Sequence, residues 1–166
     1  MARRATRGES GFSLAELIVL LAVIGILTAF SVPMMLTYWR SSTLMAGARE
    51  VAAALNSARE LAIRENRNVC VTTDGTRLQY RIPTCGAALP WTGSGTDGIW
   101  LGPVTDGGGN IRLDNRVTII VPVPANVTFN YLGAAIQAGS YTVLSPSGAG
   151  TMSVTVVQNG RVSIGP

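Results

Sequence analysis

From Leu17 to Tyr38 no residue carries a charge, and that run limits what this chain can become more than any other feature. At about 1.5 Å of rise per residue, roughly 20 helical residues cross a bilayer core, so the segment is long enough to span one. A chain of 166 residues then has room for this anchor and one globular domain of modest size. Glu16 stands at the start of the run. A carboxylate there is costly inside lipid, which marks it as a functional residue in need of a partner. Pro33 falls inside the run with Gly25 upstream. Proline removes one helical hydrogen bond and clashes with the preceding turn, so Pro33 is the expected place for the helix to bend or break.

The segment before the run, Met1 to Gly11, carries Arg3, Arg4 and Arg7 but no apolar core. An ordinary secretory signal has its hydrophobic region ahead of the cleavage point; here the apolar region follows. The order of basic leader, Gly11, Phe12, Glu16 and apolar helix resembles the prepilin signal of type IV pilins and type II secretion pseudopilins. That resemblance implies a membrane peptidase that cuts after Gly11 and methylates the new amino terminus at Phe12. It implies that Glu16 meets the Phe12 amine of a neighbouring subunit in a filament, and the proline at position 33 matches the same pattern. It also implies residence in a bacterial inner membrane as a single-pass protein with its head in the periplasm. The implied partners are other pilin or pseudopilin subunits, the prepilin peptidase and an inner-membrane assembly platform.

Beyond Arg40 the helical signal changes character. Leu44, Ala48, Val51, Leu55, Ala58 and Ala62 recur at steps of four and three, one apolar stripe on an otherwise polar helix. Arg49, Asn56, Arg59, Glu60 and Arg64 fall largely off it, so this part of the helix should leave the membrane and lay one face on a sheet. Its end is expected near Asn66 to Asn68, where the pattern breaks.

The chain then turns to β structure. Val69 to Thr73 and Leu78 to Ile82 flank Asp74-Gly75 and read as a hairpin. A loop rich in Gly, Pro, Ser and Thr runs from Pro83 to Gly98. Further strands are expected at Ile99 to Leu101, Val117 to Val123, Val127 to Tyr131, Tyr141 to Leu144 and Ser153 to Gln158. The last of these turns at Asn159-Gly160 into Arg161 to Ile164, with Val162 and Ile164 on one face and Arg161 and Ser163 on the other.

The fold class is therefore α+β: a long N-terminal helix, membrane-spanning in its first half, packed on a β-rich head of mainly antiparallel strands. The expected segments are a removed leader at 1–11, a transmembrane and assembly helix at 12–38, an amphipathic stalk helix at 39–67 and a periplasmic head at 68–166. The closing Asn-Gly-Arg-Val-Ser-Ile-Gly resembles the terminal Gly-Arg hairpin of the GspH/FimT branch of minor pilins and pseudopilins. In FimT-type DNA-uptake pilins a second arginine follows two places after the first, and then a cysteine. Those places hold Ser163 and Gly165 here, so one phosphate contact and the cysteine are missing.

Without the leader, ten arginines face eight acids, because Arg3, Arg4, Arg7 and Glu9 are gone from totals of 13 and nine. No global nucleic-acid footprint remains, and any such binding needs a local patch. Cys70 and Cys85 are the two cysteines, and an even pair in a domain delivered outside the cytoplasm favours a disulfide. A metal site lacks support, since there is no histidine and two cysteines do not complete a zinc shell. No cofactor is called for. The run Thr105 to Asn110, with Asp114 nearby, offers oxygens for calcium but not the ordered spacing of a calcium loop; it reads as a surface turn. Without an imidazole base, a phosphate-cradling Gly-Lys loop or a nucleophile elbow, no catalytic constellation emerges and the chain does not read as an enzyme.

Two functions remain. One is structural: a minor subunit of a type II secretion pseudopilus or a type IV pilus, assembled through its N-terminal helix. The alternative is a FimT-like DNA-binding minor pilin for natural transformation, with Arg161, Arg77 and Arg81, interleaved with Tyr80, as an arginine-aromatic patch. The structural reading is the favoured one.

Overall fold

The computed structural model describes residues 12–92, 97–123, 126–146, 148 and 150–166. The leader and Gly11 lie outside these residues. Among the described residues one helix, α1 (Leu14–Glu65), is followed by ten strands. The chain divides into two compact units, Met1–Tyr38 and Trp39–Pro166.

In the first unit the apolar side chains from Phe12 to Tyr38 are exposed, among them Leu17, Ile18, Leu21, Ile24, Leu27 and Phe30. The Thr28, Ser31 and Thr37 hydroxyls in this run bond back within the helix. Thr28 donates to the Ile24 carbonyl at 2.9 Å and Ser31 to the Leu27 carbonyl at 2.8 Å. Such back-bonding lets hydroxyl groups sit in an apolar medium at little cost. Helical assignment continues through position 33, so the helix expected to bend or break at Pro33 does not break there. Proline deletes one backbone hydrogen bond, and the turns on either side keep theirs.

In the second unit the stripe residues Leu44, Ala48, Val51, Leu55, Ala58 and Ala62 are all buried. Small residues at alternate steps let the sheets approach the helix closely. The helix ends in a Schellman cap: the Arg67 N–H donates to Ala62 O at 3.1 Å, the Asn66 N–H to Ile63 O at 3.3 Å, and Asn66 takes φ 53°.

The strands are β1 (Val69–Thr73), β2 (Arg77–Ile82), β3 (Gly98–Ile99), β4 (Asn110–Arg112), β5 (Thr118–Val123), β6 (Val127–Phe129), β7 (Ala135–Gln137), β8 (Gly139–Leu144), β9 (Thr151–Val156) and β10 (Val162–Gly165). They form two antiparallel sheets. The first has the order β3-β2-β1-β6-β7, with β4 also paired to β2; the second runs β10-β9-β8-β5. Single backbone bonds join them at two points: Ile119 N–H to Gly75 O at 2.7 Å, and Ala135 N–H to Gln158 O at 2.9 Å. The helix stripe, Val69 and Val71 of β1, Leu78 and Tyr80 of β2, Phe129 of β6, Tyr141 of β8 and Val154 of β9 share one core.

Two strands were not expected, β4 and β7. In the last strand Val162 and Ile164 pair with Val156 and Val154 of β9, both buried, and so share one face. Val162 packs against the core, and Ile164, near the end of this outer strand, is 36% exposed.

Candidate functional site

Two regions carry the candidate residues: the start of α1 and the surface of the head. Phe12 precedes the helix with its ring exposed, and Glu16 lies in the first turn. That is the end where a carboxylate is favoured by the helix dipole. From Leu14 to Tyr38 the helix measures about 37 Å at 1.5 Å per residue, more than the roughly 30 Å of a bilayer core. The span is therefore sufficient in length as well as in composition. Gly11, the expected cleavage residue, is outside the described residues.

On the head, Cys70 and Cys85 form a disulfide with Cα atoms 5.2 Å apart. It ties the loop after β2 to β1. Arg81 backs it up, because its guanidinium donates to the Cys85 carbonyl at 3.0 Å and to Gln79 Oε1 at 2.9 Å.

The arginine-aromatic patch does not form. Along β2 the buried positions are Leu78, Tyr80 and Ile82, alternating with half-buried Arg77, Gln79 and Arg81. Tyr80 thus points away from the arginines. Its hydroxyl donates to the Ala54 carbonyl of α1, and burial, together with nearby Tyr141, pushes the phenol well above its ordinary range. A ring sealed in the core cannot stack on a base. Arg77 and Arg81 share a recess of about 270 Å³ with Asp74, Gln79 and Asn110. Arg161 does not line it; it lies in the turn before β10.

The carboxylates near these arginines are engaged. Burial raises the Asp74 carboxyl, but N–H groups of Thr76 and Arg77 at 2.9 and 2.8 Å, the Thr76 hydroxyl and the Arg77 charge hold it below the usual range. Asp106 is held low first by the Asn110 N–H and side-chain amide, and also by the Gly108 N–H and Arg77. Those bonds close the Asp106–Asn110 loop on itself, with Oδ1 accepting at 2.9 Å from both Gly108 N–H and Asn110 N–H. The carboxylate serves its own turn, and among the described residues no cluster of three potential metal ligands occurs.

A third feature had no counterpart in the expectations. Arg59 of α1 donates from Nε to the Gly133 carbonyl at 2.8 Å. Gly160, at φ 78°, packs on the same carbonyl so closely that a Cβ would collide with it. Helix, β6–β7 turn and β9–β10 turn thereby meet at one point. The available signal was the pair of turn glycines, but nothing local reveals that two turns so far apart in sequence touch.

The family profile described as "Type II transport protein GspH" matches residues 47–161. The chain belongs to the GspH family. The match covers the amphipathic half of α1 and the head. A fimbrial protein of Pseudomonas aeruginosa is similar, at 32% identity over 101 residues covering 61% of this chain and 64% of that relative. The chain thus spans slightly less than two thirds of the curated relative's length. Three solved structures share the fold. The minor pilin FimU of Pseudomonas aeruginosa is 18% identical, with a TM-score of 0.51 over 78% of this chain and 92% of its own. GspH of E. coli is 12% identical, with a TM-score of 0.56 over 74% and 87%. EpsH of the Vibrio cholerae type 2 secretion system, a minor pseudopilin, is 15% identical, with a TM-score of 0.51 over 73% and 94%.

Proposed function

We propose that this chain is a structural minor subunit that enters a type II secretion pseudopilus or a type IV pilus through α1. One observation carries the reading: a charge-free, exposed apolar helix that opens on Phe12 and Glu16 is continuous with a GspH-family head. In this account the peptidase cuts between Gly11 and Phe12 and methylates the Phe12 amine. The protein waits in the inner membrane with its head in the periplasm, until the assembly platform adds it to the filament beside other pilin-type subunits.

Glu16 is the assembly residue. A carboxylate in an apolar layer is tolerated when a fixed cation faces it, and the amine of a neighbouring Phe12 is such a cation. The role is architectural rather than catalytic. DNA capture is the weaker reading, because it relied on an arginine-aromatic patch whose aromatic member, Tyr80, is in the core.

Glu16→Ala tests this proposal. The variant should be cleaved and methylated like the parent yet reach sheared filaments at a small fraction of the parental level. Parental incorporation of correctly processed Glu16→Ala protein would remove the proposed role.

A further inference from the structure

The turn joining β6 to β7 is built to hold two apolar side chains in solvent. Asn130 Oδ1 accepts from the Leu132 N–H at 3.0 Å and the Ala134 N–H at 2.9 Å. The Gly133 N–H donates to Asn130 O at 2.9 Å, and the Asn130 N–H to Ala134 O at 2.8 Å. From below, Arg59 holds the Gly133 carbonyl and Gly160 packs on it. Despite this anchoring, Leu132 is 71% exposed and Tyr131 50%. Ile63 of α1, half exposed, packs beside Gly133, and Ile136 of β7 is 61% exposed. A rigid, amphipathic aromatic beside aliphatic neighbours is the composition of a binding hot spot, because little entropy remains to be lost on contact.

The charge around this patch is positive. Exposed Arg161 adjoins Gly160 in the turn that touches Gly133, and Arg67 follows the helix end just past Ile63. Glu60, the acid one turn before Ile63, instead lines a groove with Trp100 and Val104. Among the described residues, the salt bridge present is Arg64 with Glu65, so Arg67 and Arg161 are unpaired there.

We infer that the Tyr131–Leu132 turn, with Ile63 and the flanking Arg161, docks the head of a different pilin-type subunit that presents an apolar side chain beside an acidic one. The inference rests on the proposed filament role. A second copy of this chain is a poor fit, since a symmetric contact would bring two basic rims together. DNA is a poor fit as well, because phosphate contacts carry its affinity and the centre of this surface is hydrocarbon.

The test uses the full-length protein in its native cells, with a photoreactive benzophenone side chain replacing Tyr131 or Leu132. The control position is Leu89, 72% exposed and bonded to β3 at the opposite edge of the sheet from β7. Sheared filaments containing the protein should yield a crosslink from 131 and 132 but not from 89. Its peptides should identify a different subunit with a prepilin-type N-terminus. Arg161→Glu should reduce that product, and Leu132→Asp should lower it by about tenfold, the loss of one central contact, while the thermal midpoint of the protein stays at the parental value. Crosslinks only between copies, only to DNA, equally from position 89, or none from protein shown to be in the filament would overturn the inference. Absence of the unmodified parent from filaments would instead bring down the filament role and this inference with it.

Discussion

Arg59 reaches across the head to the Gly133 carbonyl, 74 positions later, and donates to it from Nε at 2.8 Å. Because Gly160 packs on that same carbonyl, this contact fixes two turns and the helix at once. Arg59→Ala leaves a half-buried carbonyl without its charged donor and should cost about 1–3 kcal/mol. Gly160→Val adds a side chain where φ is 78° and the Gly133 oxygen already fills the space, so it should cost at least as much. Urea unfolding of the two variants checks both values. Parental stability in Gly160→Val would mean that the turns do not meet as described.

The disulfide closes a loop with a sequence separation of 15. Loop closure of about 15 residues restricts the unfolded chain by roughly 3 kcal/mol. Replacing both cysteines by serine should lower stability by about that much, and reductant should have the same effect on the parent but none on the variant. A loss well under 1 kcal/mol would assign the hold on this loop to the Arg81 bond to the Cys85 carbonyl instead.

Asp74 gives the head a pH dependence of known sign. Burial pushes its carboxyl up, but the bonds from Thr76 and Arg77 and the Arg77 charge outweigh it, so the folded value lies below the unfolded 3.8. The stabilisation is therefore fully present above 3.8 and is lost as pH falls through the folded value. Since the group is largely exposed, solvent screening limits it to roughly 1 kcal/mol or less. Asp74→Asn should be less stable than the parent at neutral pH, and the gap should close as acid titrates the parent. A gap that widens in acid would reverse the sign and contradict this account.

Much of the head could be read directly from residues. The β-branched run Val69–Thr73, bounded by Asn68 and Asp74, formed a strand with those limits, because burial of both faces needs no long-range information to recognise. The stripe from Leu44 to Ala62 was legible for the same reason: its period is set by the helix itself. The missed strands β4 and β7 have three residues each and lie at the borders of their sheet. Asn110-Ile111-Arg112 contains one apolar residue, and its pairing with β2 supplies what its composition does not. Tyr80 was a different kind of miss. The alternation of Leu78, Tyr80 and Ile82 with Arg77, Gln79 and Arg81 already separates the faces, and grouping the tyrosine with the arginines ignored it. The meeting of Arg59, Gly133 and Gly160 was beyond reach, since it depends on how two sheets close over the helix.

The central claim is that this chain is processed as a prepilin and works from its new amino terminus. The most direct measurement is the intact mass of the protein extracted from its native membranes. The account predicts residues 12–166 with one added methyl group at the Phe12 amine and two hydrogens fewer for the Cys70–Cys85 disulfide. A mass that retains Met1 to Gly11, or one that begins after the apolar run near Tyr38, would contradict it.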